Sequence, residues 1–155
     1  MIVLGIDPGS TRIGFGLISK EKEIKLIDYG VIEFNRKNGG LDKLVLEVTS
    51  KLGELIKKYK PELVGIEKIF FSKNVKTGIE VAQTRGALIL ELAKYNIPMK
   101  EISPSEVKSA ITGYGMAEKK AVAKTVEKLL KVEKLKGYDD ASDALAIALT
   151  AAMSD

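Results

Sequence analysis

Ile2 to Ile6 is an unbroken apolar run that stops at Asp7. A strand that is apolar on both sides must be covered on both sides, so the run predicts the interior of a sheet with helices packed against its two faces. A second run, Leu63-Val64-Gly65-Ile66, has the same form and stops at Glu67. Between them, Asp7-Pro8-Gly9-Ser10 makes a turn, and Ile13 to Ile18 and a third segment through Phe34 read as strands. Leu41, Leu44, Val48, Leu52, Leu55 and Ile56 fall on one stripe of a helix that follows the break at Asn38-Gly39-Gly40. After Glu67 comes a polar loop from Lys68 to Lys76, then a helix over Thr77–Tyr95 and a short strand over Met99–Ile102. Ser103-Pro104-Ser105-Glu106 has the form of a capping box with proline at the first helical position, opening a helix to Thr112. Two more helices are expected over Ala117–Leu130 and Asp139–Ala152. The order βββαβαβααα makes this an α/β chain, a five-stranded mixed sheet flanked by helices. Its 155 residues are enough for one core, so residues 1–155 are expected to form a single domain.

The chain contains no cysteine and no histidine. That excludes a thiolate metal site, a Ser-His-Asp triad, a histidine general base and the usual zinc site. Carboxylates and lysines must carry any chemistry. MIVLGID lacks the basic start and long apolar stretch of a signal peptide, and no run of apolar residues reaches membrane-spanning length. A cytoplasmic location without a membrane partner is therefore expected.

Asp7 and Glu67 each close a buried strand at its C-terminal end, where sites form in open α/β sheets. Acidic residues are poor strand formers and expensive to bury, so such a pair is a candidate for function. The plainer reading is that each marks only the exit of a strand into a loop. A second acidic group lies in Tyr138-Asp139-Asp140-Ala141-Ser142-Asp143. Asp140 and Asp143 are three apart and share a helix face. Aspartates at a helix start commonly cap it, and Asp139 is read as the cap. Asp143 lies a turn inside, beside the core-facing Ala141, Ala144 and Leu145, with no arginine nearby in sequence. The four carboxylates are thus expected to converge without a basic partner and to hold a hard cation. Two Mg²⁺ ions, or Mn²⁺ in their place, roughly 4 Å apart could activate water and stabilise the leaving oxygen in phosphodiester hydrolysis.

Charge is concentrated as well. Ala117 to Lys136 carries seven lysines against three glutamates, which accounts for the whole net charge of +4. A local positive field of this kind suits a polyanion, although a solvated lysine-rich helix face has the same composition. Lys120, Lys124, Lys128 and Lys131 form a stripe opposite Val122, Val126, Leu129 and Leu130. On the helix over Thr77–Tyr95, Gly78, Ala82 and Gly86 recur every four residues, and apolar residues occupy more than one face. Such a helix is either wholly buried or shared with a second subunit.

GIDPGSTRIGFGLI, VGIEKIFFSKN with VAQTRGALI, SPSEVKSAITGYGMAEKKAV and DDASDALAIAL resemble, in order and spacing, the landmark segments of the RuvC resolvases. The resemblance implies a ribonuclease H-like fold and a Holliday junction resolvase: a metal-dependent endonuclease that makes paired symmetric nicks in four-way DNA junctions during recombination and repair. It places the catalytic, metal-holding acids on Asp7, Glu67, Asp140 and Asp143, with histidine replacing Asp140 in some relatives. It also implies DNA contacts at Phe70, Lys108, Lys119 and Lys120, and leaves open which of Phe70 and Phe71 makes the contact, the other being a core anchor. A homodimer built on the Thr77–Tyr95 helix and cooperation with the RuvA–RuvB branch-migration complex follow from the same likeness. Ile6-Asp7-Pro8-Gly9-Ser10-Thr11 also resembles the first phosphate loop of actin-like ATPases and sugar kinases, which clamp a nucleotide between two such lobes where this chain provides one. The same fold could also serve a ribosomal RNA nuclease or a catalytically silent junction binder. The basic segment and DDASDALAIAL weigh against the RNA nuclease, and the full acidic set weighs against the silent binder.

Overall fold

Strand β1 (Ile2–Pro8) sits at the centre of a five-stranded sheet of order β3-β2-β1-β4-β5. The computed structural model describes residues 1–37, 39–70 and 74–154. β2 (Arg12–Lys20) pairs antiparallel with β1 and with β3 (Ile24–Glu33), whereas β4 (Leu63–Glu67) runs parallel to β1 and β5 (Met99–Ile102) parallel to β4. The sheet is therefore mixed, as the element order requires. Val3 through Ile6 are all buried, which is the burial an unbroken apolar strand needs.

Alternation along the strands divides the interior in two. Leu4, Ile6, Ile13 and Leu17 pack on one face with α1 (Leu41–Tyr59) and α2 (Val75–Lys94). Val3 and Ile18 pack on the other with α3 (Pro104–Thr112), α4 (Lys119–Leu129) and α5 (Asp139–Met153). Ser103 caps α3 in a complete capping box, its side chain accepting from the Glu106 N–H while Glu106 accepts from the Ser103 N–H. α2 starts before Thr77 because Asn74 caps it, accepting from the Thr77 N–H at 3.3 Å.

α5 decides where the site forms. It is buried nearly all round, from Ala144 to Ala152 without a break, as a helix enclosed by sheet and helices must be. Its seat is a row of glycines in register across three strands: Gly16 beside Gly5, and Gly5 beside Gly65. A Cβ on Gly5 would lie 1.9 Å from the Ala144 carbonyl oxygen, so only glycine admits the helix this close.

Candidate active site

The alternation that sends Val3 and Gly5 toward α5 sends Asp7 the same way, and Leu63, Gly65 and Glu67 do likewise on the neighbouring parallel strand. The two acids consequently emerge side by side at one end of the sheet. The glycine seat brings the start of α5 to meet them. At Gly14 a Cβ would stand 2.0 Å from the carbonyl oxygen of Asp140, so the first turn of the helix rests directly on β2. Asp140 and Asp143, one turn apart, then face the strand-end pair. All four predicted acids come together.

Their electrostatics show the strain of assembling like charges. Burial, followed by the charges of Glu67, Asp143 and Asp140, pushes the Asp7 carboxyl up to about 8 from its ordinary 3.8. Glu67 is also raised, chiefly by burial, although its hydrogen bond with Asp7 works the other way. Two carboxyls in hydrogen-bonding contact share one proton, because both cannot ionise cheaply at that separation. Asp143 is raised by burial too, against the opposing pull of Lys119.

The expectation that the four acids lack a basic partner is wrong. Arg12 Nε lies 3.0 Å from an Asp140 oxygen, and Lys119 Nζ lies 2.8 Å from an Asp143 oxygen. Sequence distance conceals the first pairing, since Arg12 comes from the opposite end of the chain. It shares the α5-facing side of β2 with Gly14 and Gly16, and its guanidinium also stacks 4.1 Å over the Tyr138 ring. Arg12 and the glycine row are the residues that sequence reasoning misses. The usable signal is the period of two along β2, Arg12-Gly14-Gly16, beside a helix of small residues.

Lys119 is the first residue of α4, a position that the helix dipole disfavours for a cation, and no acidic residue stands in that first turn. Its partners are in α5: Asp143, and Asp139 at 3.8 Å. Burial pulls the Lys119 ammonium down, but the bond to Asp143 and the surrounding acids outweigh it and hold the group above its usual range. Asp139 does not cap α5. The cap position belongs to Tyr138, and Asp139 is the first helical residue, its side chain 85% exposed.

The remaining candidates surround this centre. Lys108 and Lys119 line a cleft of about 250 Å³ together with Glu67 and Asp143. Lys120, Lys124, Lys128 and Lys131 are exposed as the stripe requires, although Leu129, expected on the apolar side, is 39% exposed. Phe70 is exposed on the loop after Glu67, beside a depression it shares with Pro8 and Glu67. Phe71 lies outside the described residues. On α2, Ile79, Ala82, Gly86 and Leu90 face outward, so that helix is not wholly buried in the single chain.

The donor set is all oxygen, held in a partly buried pocket where burial and the neighbouring acids raise the Asp7 carboxyl. That chemistry fits a hard divalent cation. Among the described residues, however, no three of the acids stand around one point at coordinating distance, and Asp140 and Asp143 are paired with Arg12 and Lys119.

Comparison with known proteins identifies the family. The family model described as crossover junction endodeoxyribonuclease RuvC matches residues 3–151. The protein of that name from Petrotoga mobilis is 48% identical over 96% of this chain and 91% of its own length. The one from Fusobacterium nucleatum is 42% identical over 97% of this chain and 79% of its own length. Among solved structures, Thermus thermophilus RuvC superposes with a TM-score of 0.90 at 29% identity, covering 98% of this chain and 93% of that one. The same protein in complex with a Holliday junction substrate gives 0.87 at 27% identity and the same coverage. The five-stranded sheet with its helices is the ribonuclease H-like fold of those structures. Matched along nearly its whole length in sequence and in structure, this chain belongs to the RuvC family of crossover junction endodeoxyribonucleases.

Proposed function

We propose that this protein resolves four-way DNA junctions by metal-dependent phosphodiester hydrolysis, with Asp7, Glu67, Asp140 and Asp143 as its catalytic acids. The observation that carries the reading is the meeting of these acids at the shared end of β1 and β4, where the Asp7 carboxyl is pushed up to about 8. So much negative charge, partly buried, is unfavourable unless a proton or a cation relieves it. Asp7 and Glu67 would hold Mg²⁺ or Mn²⁺, two ions in the full site, with Asp143 and Asp140 completing the ligand set. When bound, such ions lower the pKa of a coordinated water and stabilise charge on the leaving oxygen.

The chain's own residues do the rest. Arg12 and Lys119 each neutralise one acid, so a DNA phosphate approaching the site meets a reduced negative field. Lys119 and Lys108 stand on the cleft wall and fit a role in drawing the backbone toward Glu67 and Asp143. Lys120 extends the positive surface along α4. Phe70, an aromatic ring in solvent beside the acids, fits stacking on a base exposed at the crossover.

Paired nicks need two sites, which a homodimer through the outward face of α2 supplies. The junction arms that a resolvase receives are those moved by a branch-migration machine such as RuvA–RuvB, the proposed partner in the cell. No helix among the described residues is long and apolar enough to cross a membrane. A cytoplasmic location is part of the same reading. The test is cleavage of a synthetic four-way junction, a plain duplex and an RNA–DNA hybrid with Mg²⁺ or Mn²⁺. Symmetric paired cuts in the junction alone are expected. Equal cutting of all three would remove junction resolution, and preference for the hybrid would point to an RNA substrate.

A further inference from the structure

Two arginines outside the acidic cluster both end on backbone carbonyls at its edges. Arg36 donates to the carbonyl of Ser10, in the turn that follows Asp7. Its Nη2 donates to the Glu80 carbonyl and the Thr84 hydroxyl of α2, each at 2.9 Å. Arg85, the next residue of α2, donates through Nε to the carbonyl of Glu67 itself at 3.0 Å. Its other arm pairs with Glu101 on β5. Thr84 is buried, and the two arginine side chains are only 19% and 14% exposed.

Desolvating a guanidinium is costly, and a carbonyl at a strand end could take a water molecule instead. What the arginine fork adds is direction: a planar group with fixed donors defines where its acceptors sit. A bond to Glu67's own carbonyl fixes its peptide plane, and with it the aim of the side chain. A bond to Ser10 holds the far side of the turn whose near side is Asp7. Both tethers lead to consecutive residues of one helix, so the two strand ends share one anchor.

We propose that Arg36 and Arg85 are positioning residues: they pin the Asp7 turn and Glu67 to α2, and so hold the two strand-end carboxylates in the arrangement a metal ion needs. They act through the backbone, and the inference rests on the metal-dependent reading given under Proposed function.

The experiment measures Mn²⁺ binding to the DNA-free protein by calorimetry. Beside it run single-turnover cleavage at saturating junction and junction affinity in EDTA. Arg36→Met and Arg85→Met keep the apolar stem and remove the donors. Each is expected to weaken Mn²⁺ binding about tenfold, the usual scale for a group supporting a metal ligand. Cleavage at subsaturating metal should fall about 100-fold, as misplacement by an ångström does. Junction affinity should stay within about twofold, because its assigned contacts are elsewhere. Arg85→Lys, which can still reach the carbonyl with one donor, should recover part of both losses. Glu101→Gln alters only the exposed end of the tether and should weaken Mn²⁺ binding about threefold. If Arg85→Met does not fold, Arg85→Lys and Glu101→Gln decide the question by the same measure. Variants that melt earlier yet bind Mn²⁺ and cut at wild-type level would overturn the proposal. Wild-type protein that neither binds Mn²⁺ nor cuts a junction would instead overturn the metal-nuclease reading beneath it.

Discussion

Asp7 joins stability to pH through its raised carboxyl. Its folded value of about 8 lies above the ordinary 3.8, so between those limits the folded protein keeps a proton that the unfolded chain has released. Stability of the metal-free protein therefore falls as pH rises through that window and levels off above about 8. Glu67 and Asp143, both raised, act in the same direction. A metal ion needs the ionised form, so its uptake expels the proton and its affinity rises with pH over the same interval. Thermal melts in EDTA should give a lower Tm at about pH 8.5 than at about pH 6, and added Mg²⁺ should raise Tm more at the higher pH. Asp7→Asn should flatten the EDTA slope; a slope that remains intact in this variant would mean that another group carries it.

Asp7, Glu67 and Asp143 are legible from the sequence because acids that close apolar runs, or sit one turn inside an apolar helix, break a pattern; Asp140, in the first turn of its helix, is placed by the family resemblance. Their counter-ions are not. Lys119 reads as a DNA contact through the family resemblance, and nothing in its basic segment points to Asp143. Arg12 is 128 residues from Asp140, and only the three-dimensional seating of α5 reveals the pair. Phe70 stands outside this network. The residue is 64% exposed, so Phe70→Ala should slow junction cleavage while changing stability by less than about 0.5 kcal/mol. A loss of about 3 kcal/mol would make it a core residue instead.

At the scale of elements, glycine has opposite meanings in β1 and in α2. Gly5 is where α5 touches the sheet. Gly5→Ala would press a methyl group into the Ala144 carbonyl, and a loss of about 3 kcal/mol is expected from overpacking against backbone that cannot yield. Because α5 carries Asp140 and Asp143, activity should fall with stability. Gly86 has nothing within 4 Å of where its Cβ would be. In a helix interior, glycine costs about 1 kcal/mol relative to alanine, so within one chain Gly86→Ala should stabilise. A reason to keep glycine there is the close approach of another body, and Ala82, Ile79 and Leu90 share its outward face. Gly86→Leu should accordingly weaken self-association in sedimentation and abolish paired cuts, with no loss of protomer stability. Wild-type protein that stays monomeric at high concentration would contradict a dimer on this face.

Element boundaries are readable where turn chemistry is explicit. Met99–Ile102 and the helix after Ser103 fall where the sequence places them, because a strand between polar breaks and a capping box are local signals. The sequence places the start of α2 two residues late, since Asn74 caps it from within a loop whose composition gives no sign of helix. The glycine row stays hidden for a related reason. Gly5, Gly16 and Gly65 line up only once strand register is known, and register is a property of the assembled sheet.

Across the whole molecule, a sheet end supplies two acids, a buried helix supplies two more, and lysines and an exposed aromatic stand outside them. Binding is thereby assigned to residues other than those assigned to chemistry. The direct test replaces carboxylate by amide in Asp7→Asn and Glu67→Gln, which keeps shape while removing a charge and a ligand for a hard cation. Each variant is followed in a Mg²⁺ cleavage time course beside a junction gel-shift in EDTA, with Asp139→Asn, exposed and outside the acid set, as the control. Cleavage should fall by about three orders of magnitude or more in both variants, while junction binding is retained or tightened and the control cuts normally. Near wild-type cleavage by both Asp7→Asn and Glu67→Gln would contradict the metal-carboxylate mechanism.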